Sequence, residues 1–286
     1  MIKEPLVSVI MNCYNGEKYL AEAIDSVYSQ TYKNWEIIFW DNASTDQSAS
    51  IAKSYDSKLK YFCAIQNTVL GAARVLAVNE TSGEYLAFLD CDDLWNRDKL
   101  VKQVKQVKIV DDKLGIIYSR SDVISGDGMI LGTIPKKDDS PIFGEVFGEL
   151  AKENFIPFVS ALVPKDKYYA VGGFSEKYKT AVDYDLFLKL SYSFRVEFID
   201  EILCKYRQHS NNLSLVQKSL GIEESIRTVK LYLPNNKAVV GVNHHYSTLF
   251  INYIREQKFY KAFRVLIKKD VLRLVLFRIY KKLKQL

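Results

Sequence analysis

Gly83-Glu84-Tyr85-Leu86-Ala87-Phe88-Leu89-Asp90-Cys91-Asp92-Asp93 is an apolar run that ends in three carboxylates within four residues. Tyr85 to Leu89 has the aromatic and aliphatic content of a buried strand, so the carboxylates stand where that strand leaves the core. Crowded like charges repel and raise one another's pKa, a situation that a bound cation relieves. Hard oxygen ligands favour Mg²⁺ or Mn²⁺, and a site with one or two carboxylates leaves coordination positions for phosphate oxygens. A solvated turn in which Asp93 or Asn96 caps the next helix fits the same residues.

Outward from this strand the chain alternates short β-branched or aromatic runs with amphipathic stretches, the pattern of βαβ units around a mostly parallel sheet. Strands are expected at 6–12, 35–40, 59–64, 85–90 and 115–118. Leu20, Ala23, Ile24 and Val27 recur at helical spacing, as do Leu100, Val104 and Val107, which places helices on the sheet faces. The fold class is therefore α/β. In such sheets ligands bind outside the carboxyl ends of the strands. Three polar clusters occupy such positions: Cys13-Tyr14-Asn15-Gly16, Asp41-Asn42-Ala43-Ser44-Thr45-Asp46, and Asp90-Cys91-Asp92-Asp93. Parallel strands would bring all three to one edge. In the second cluster Ser44 or Thr45 is placed to cap the following helix. Asp41 precedes the cap and is expected to be free for a ligand N–H, such as the imide of uracil; an ordinary turn suits it equally.

Beyond residue 118 the rhythm changes. Asp122 to Leu131 reads as a hairpin around Ser125-Gly126-Asp127-Gly128, and 135–141 as a polar loop. A helix is expected over Asp183 to Leu190 and a strand over Ile202 to Tyr206, with helical patterning from about residue 214 onward.

With 286 residues and 48% hydrophobic composition, the chain can bury one large core with an appended region. The charged fraction, 26%, leaves no tract that reads as disordered. Cys13, Cys63, Cys91 and Cys204 show no C-x-x-C pair and no zinc spacing with His209, His244 or His245, which suggests free thiols in a reducing compartment. The N-terminus lacks signal-peptide character, and no apolar run approaches the ~20 residues of a membrane span. A cytoplasmic protein is expected, with attachment to the inner face of the cell membrane left open.

Taken together, Val7-Ser8-Val9-Ile10 with Tyr14-Asn15-Gly16, then Asp41 to Asp46, then Gly83 to Asp93 resemble family 2 of the glycosyltransferases, over about residues 5 to 210. The resemblance implies the GT-A fold: a Rossmann-like, mostly parallel central sheet flanked by helices, here followed by a C-terminal helical extension. It divides the chain into a catalytic domain at 1–213, with a nucleotide-binding half at 1–118 and an acceptor-side half at 119–213, and a basic helical region at 214–286. The implied activity is inverting transfer of a sugar, a hexose or N-acetylhexosamine, from a nucleotide diphosphate donor to a hydroxyl of a saccharide or lipid-linked saccharide in cell-surface polysaccharide synthesis. A UDP-sugar is the expected donor and Mn²⁺ or Mg²⁺ the cofactor.

Residue by residue, Tyr14, with Asn15 beside it, matches the position that packs on the base, and Asp41 the carboxylate that reads it. Arg74 matches a basic position near the nucleotide; Val75 follows it where members commonly carry asparagine. Asp90 matches a ribose-side carboxylate and Asp92 the metal ligand. Gly172-Gly173-Phe174 followed by Thr180-Ala181-Val182-Asp183-Tyr184-Asp185 resembles the catalytic-base segment, with Asp183 as general base and Val182 where a glutamate often stands. A helix N-cap is the plainer reading of Asp183. Arg207 and His209 resemble positions near the diphosphate or metal, His209 being a second candidate metal ligand; two polar side chains at a surface strand end fit as well.

The formal charge of +6 is concentrated at the C-terminus. Between Lys258 and Leu286 ten lysines and arginines face Asp270 alone, and Leu272, Val275, Leu276, Ile279 and Leu283 fall on one helical face. Such a segment lies in a membrane interface or packs on the protein. The basic residues match no nucleic-acid motif, and no nucleic acid partner is expected. A magnesium phosphotransferase could use Asp90-Cys91-Asp92 with the first aspartate as nucleophile, but Leu94 and the late position of the strand speak against it. A dehydrogenase is excluded because Tyr14-Asn15-Gly16 replaces G-x-G-x-x-G. A non-catalytic sugar-nucleotide-binding or scaffold protein remains the alternative.

Overall fold

A computed structural model describes residues 4–107, 109, 112–267 and 275. The strands are β1 (Val7–Cys13), β2 (Trp35–Asp41), β3 (Leu59–Cys63), β4 (Tyr85–Phe88), β5 (Leu94–Trp95), β6 (Leu114–Ser125), β7 (Ile130–Ile134), β8 (Leu162–Pro164) and β9 (Arg195–Gln208). The helices are α1 (Glu17–Tyr28), α2 (Ser48–Lys53), α3 (Leu70–Asn79), α4 (Lys99–Val107), α5 (Phe147–Lys152), α6 (Lys165–Ala170), α7 (Val182–Ser193), α8 (Leu213–Val216), α9 (Lys218–Lys230), α10 (Asn236–Arg255) and α11 (Phe259–Leu266).

The described strands form one sheet in the order β3-β2-β1-β4-β8-β6-β9-β5, with β7 paired to β6. The four at the β3 end are parallel, as the alternating rhythm requires. Every residue of β2 and all but one of β1 are buried, because helices cover both faces of a parallel sheet. Leu20, Ala23, Ile24 and Val27 are the buried face of α1, and Leu100 and Val104 that of α4. Gly83, two residues before β4, is under constraint: a Cβ there would stand 2.6 Å from Ser8 Oγ and 2.7 Å from the Leu6 carbonyl oxygen.

From β8 onward the sheet is mixed. β8 runs antiparallel to both β4 and β6, whereas β6 and β9 are parallel. The hairpin is present as β6 and β7, closed by the Ser125 amide donating to the Met129 carbonyl oxygen at 2.8 Å. The strand expected to stop at 118 instead continues to Ser125, and the one expected over Ile202 to Tyr206 begins at Arg195. These two strands pair along most of their length, so pairing carries β6 through Arg120 and Ser121, where an apolar count ends it, while Asp200 and Glu201 fall in a register shift of β9.

The chain divides into two compact units, one of residues 1–146 and 155–210, the other of 147–154 and 211–286. In the second, α10 packs on α5 so closely that a Cβ at Gly241 would stand 2.2 Å from the Ala151 carbonyl oxygen. Val275 is buried in this unit with Ile226, Leu249, Tyr253, Ala262 and Val265, so that position of the tail packs inward rather than facing a membrane. Leu272, Leu276, Ile279 and Leu283 lie outside the described residues. No helix among the described residues is long and apolar enough to cross a membrane.

Candidate active site

Parallel pairing of β1, β2 and β4 brings their carboxyl ends together, and with them the three polar clusters. The Asn42 amide donates to the Cys13 carbonyl oxygen at 2.8 Å, and that of Leu89 to Ile10 at 3.1 Å. Asn15, at φ +54°, takes the left-handed conformation that Asn tolerates. Its side-chain oxygen accepts from the Thr45 amide at 2.8 Å and its own amide donates to Ser44 Oγ at 3.0 Å. Asn15 therefore joins the first two loops, while Tyr14 beside it is 54% exposed, a ring open to a stacking partner.

Asp41 departs from expectation. It is 1% exposed and not free: one oxygen accepts from the Ser44 amide at 2.7 Å, the other from the Tyr61 hydroxyl at 2.7 Å. Each carboxylate oxygen retains a further lone pair, so these bonds orient the group without exhausting it. Nor do Ser44 and Thr45 cap α2. The N-cap is Gln47, without a side-chain cap, because the helix begins later than the polar run suggested; Asp46 before it accepts from the Ser48 amide at 3.0 Å.

On the β4 loop the three carboxylates separate into distinct environments. Asp90 is held by Arg74, whose Nη2 donates to its Oδ1 at 3.0 Å. Arg74 is itself buried, with its guanidinium 3.9 Å above the Phe158 ring. Asp92 faces His209, Oδ2 to Nε2 at 3.0 Å. Asp93 points inward and accepts from the Arg207 amide at 2.8 Å. Burial, and then the charge of Asp90, pushes the Asp92 carboxyl above its ordinary range, with His209 opposing. Burial followed by Asp92 and Asp90 drives Asp93 well above its own. A divalent cation would reverse that penalty.

Among the described residues no three His, Cys, Asp or Glu side chains are grouped to cage a metal. Asp92 and His209, an oxygen and a nitrogen donor in contact at 3.0 Å, are the two that would hold a divalent ion whose remaining positions go to phosphate oxygens.

Arg207, expected near the diphosphate or metal, lies beside Asp92 and His209. It is 3% exposed and its donors turn into the protein. Nε donates to the Asp92 carbonyl oxygen at 2.9 Å, Nη1 to that of Gly126 at 3.3 Å, and Nη2 to Glu22 at 2.7 Å. The guanidinium lies 4.5 Å from the Tyr19 ring, which stacks on His209 at 5.5 Å. Tyr19 and Glu22 escaped the sequence reading. Their spacing of three along α1, beside the apolar positions, was the only available signal.

Asp183 lies in the first turn of α7, whose N-cap is Ala181, so it is not the cap. Burial raises its pKa, Arg74 opposes that rise and Asp90 adds to it, which places the three in one electrostatic neighbourhood. The Gly71 amide, one residue into α3, donates to the Tyr178 carbonyl oxygen at 3.1 Å and so draws the segment before α7 toward Arg74. Asp185, buried, pairs with Lys189 at 2.6 Å and points elsewhere.

Residues 8–140 match the family described as Glycosyl transferase family 2. An uncharacterized glycosyltransferase of Methanocaldococcus jannaschii, MJ1057, is 32% identical over 259 residues, covering 88% of this chain and 87% of that one. A glycosyltransferase of Rickettsia felis is 34% identical across 72% of this chain, which spans only 35% of that relative's length. A Bacillus subtilis protein named for teichuronic acid biosynthesis, TuaG, is 26% identical, covering 74% of this chain and 82% of its own. Among solved structures, Staphylococcus aureus TarS in complex with UDP-GlcNAc aligns with a TM-score of 0.62 at 20% identity, over 92% of this chain and 76% of that one. The mannosyltransferase PcManGT of Pyrobaculum calidifontis, in complex with GDP-Man and Mn²⁺, aligns at 0.64 with 15% identity, over 98% and 85%. The fold is GT-A. The chain belongs to family 2 of the glycosyltransferases.

Proposed function

We propose that the protein is an inverting glycosyltransferase that moves a sugar, a hexose or N-acetylhexosamine, from a nucleotide diphosphate donor to an acceptor hydroxyl. The observation that carries the reading is Arg74, bonded to Asp90 on the donor loop and electrostatically joined to Asp183 on α7. It ties a carboxylate suited to the donor to one suited to the acceptor.

Tyr14 stacks on the base, Asp41 accepts its N–H, and Asp90 binds the ribose side, with Arg74 fixing the Asp90 carboxylate. Asp183 accepts the acceptor's proton as its oxygen attacks the anomeric carbon from the face opposite the diphosphate, a contribution of roughly 10²- to 10⁴-fold. Asp92 and His209 would hold Mn²⁺ or Mg²⁺, which when bound offsets charge on the departing diphosphate. A uracil base suits Asp41, and the TarS complex with UDP-GlcNAc supports a UDP-sugar; PcManGT, bound to GDP-Man, makes a guanine donor the second choice.

A saccharide acceptor, lipid-linked and destined for a surface polysaccharide, is supported by TuaG and by the surface of α11. Phe259, Tyr260, Phe263 and Ile267 are each more than 60% exposed there, among Lys258, Lys261 and Arg264. Aromatic and basic side chains in this mixture bind anionic membrane interfaces.

The test is a thermal-shift screen of UDP- and GDP-sugars with Mn²⁺, followed by measurement of nucleotide diphosphate release with saccharide acceptors. Stabilisation by one donor and acceptor-dependent release support the reading. Stabilisation without release under any acceptor favours a binding protein, and no stabilisation by any donor refutes both.

A further inference from the structure

Arg74 bonds Asp90 through Nη2, and a guanidinium held at one nitrogen can still swing about that bond. The Phe158 ring removes this freedom. The guanidinium carbon lies 3.9 Å from the ring centroid at a buried position, where a cation over an aromatic face is attracted more strongly than in water. Stacking covers the flat face of the guanidinium and leaves its N–H edge for hydrogen bonds. Phe158 is itself fixed from several sides. It stands in the short 3₁₀ turn Phe158–Ser160, whose Val159 and Ser160 carbonyl oxygens accept from Trp95 Nε1 at 2.9 Å and Gln103 Nε2 at 2.7 Å. Its ring stacks on Phe88 at 4.7 Å, two residues before Asp90, and lies 6.4 Å from Phe174 and 6.3 Å from Phe187. Phe187 is one turn along α7 from Asp183, on the same side of that helix. One ring thus meets the strand that leads to Asp90, the helix that carries Asp183 and the arginine that joins them.

We infer that Phe158 is a positioning residue of the transfer reaction, holding the Arg74 guanidinium in the plane from which it serves Asp90 and Asp183 together. It acts through Arg74 rather than on the substrates, and the inference rests on the transfer reading. Phe158→Leu fills most of the space with apolar atoms but removes the π face, so the guanidinium turns about its bond to Asp90. The Asp90 carboxylate is then held less firmly, and the positive charge near Asp183 is displaced. Both carboxylates lose orientation from one change that touches neither.

The full chain is compared as wild type, Phe158→Leu, Phe158→Tyr, Arg74→Met and the double variant Phe158→Leu with Arg74→Met, by acceptor-dependent release of nucleotide diphosphate. Phe158→Leu is expected to lower kcat/KM about 2- to 30-fold, the range that a cation–π contact supports. Phe158→Tyr keeps the π face and should retain most of the wild-type rate. On the Arg74→Met background Phe158→Leu should cost almost nothing further, because the group it positions is gone. Melting temperatures show that each variant is folded; should Phe158→Leu unfold, Phe158→Met, which adapts to the space, takes its place in the cycle. Equal losses on the two backgrounds, or a Phe158→Tyr rate no better than that of Phe158→Leu, overturn the inference and leave Phe158 as core packing. A wild type that releases no nucleotide diphosphate with any acceptor overturns the transfer reading itself, and the positioning role with it.

Discussion

His209 Nε2 lies 3.0 Å from Asp92 Oδ2 across 117 residues of sequence, and Arg207 keeps the two in register. Its guanidinium binds the Asp92 carbonyl oxygen and lies over Tyr19, the ring stacked on His209. It is a positioning residue that sets both candidate metal ligands without touching the ion. Arg207→Lys keeps the charge but loses the fork. The apparent affinity for Mn²⁺ should fall about 10- to 100-fold, the usual effect of losing a group that orients metal ligands. Glu22→Gln should produce a smaller shift in the same direction. Activity measured against Mn²⁺ at saturating donor checks this; an unchanged metal curve with a lower melting temperature would make Arg207 purely structural.

Asp183→Asn should bind donor as the wild type does and lose transfer by roughly 10²- to 10⁴-fold. Because burial raises the Asp183 carboxyl, with Arg74 opposing, the acid limb of the wild-type rate should lie above the ordinary carboxylate range near ~4. The rate rises as the pH passes upward through that raised value. Donor affinity by thermal shift and a kcat–pH profile separate the roles: a collapse of donor binding in the variant contradicts the assignment.

Stability should carry the mark of the buried carboxylates. Burial first, and then Asp92 and Asp90, raise the Asp93 carboxyl well above its value in the unfolded chain. The native state then binds the proton more tightly, so the contribution is present below pH ~4 and lost as pH climbs through the raised native value. Asp93→Asn removes this dependence and keeps an oxygen to accept from the Arg207 amide. In metal-free buffer the melting temperature of the variant relative to wild type should increase with pH. A difference independent of pH would refute the linkage.

The parallel half of the sheet was legible because β1, β2 and β4 are buried runs that each end in polar residues. The carboxylate cluster at 90–93 stood out for the same reason, as the polar end of an apolar strand, whereas the individual roles of Asp90, Asp92 and Asp183 came from the resemblance to the family. The arrangement around Arg207 was not legible. Its hydrogen bond to Glu22 spans 185 residues, and a buried arginine reads in sequence like an exposed one. Asp41 was misjudged as free because Tyr61, its partner, sits mid-strand on β3, where an aromatic residue is expected for packing alone.

Membrane attachment should depend on α11. Flotation with vesicles rich in anionic lipid should recover the wild-type chain at low salt and lose it as salt rises. Phe263→Asp, at a side chain that is 62% exposed, should abolish recovery with little change in melting temperature. Equal recovery with neutral vesicles, or from the variant, would contradict a basic-aromatic interface.

The most direct measurement is the electron paramagnetic resonance signal of free Mn²⁺ titrated with protein in the presence of UDP, for wild type and Asp92→Ala. The account predicts that wild type removes the free-ion signal far more strongly with UDP than without, and that the variant loses most of this gain while remaining folded. Equal uptake of Mn²⁺ by both proteins would contradict it.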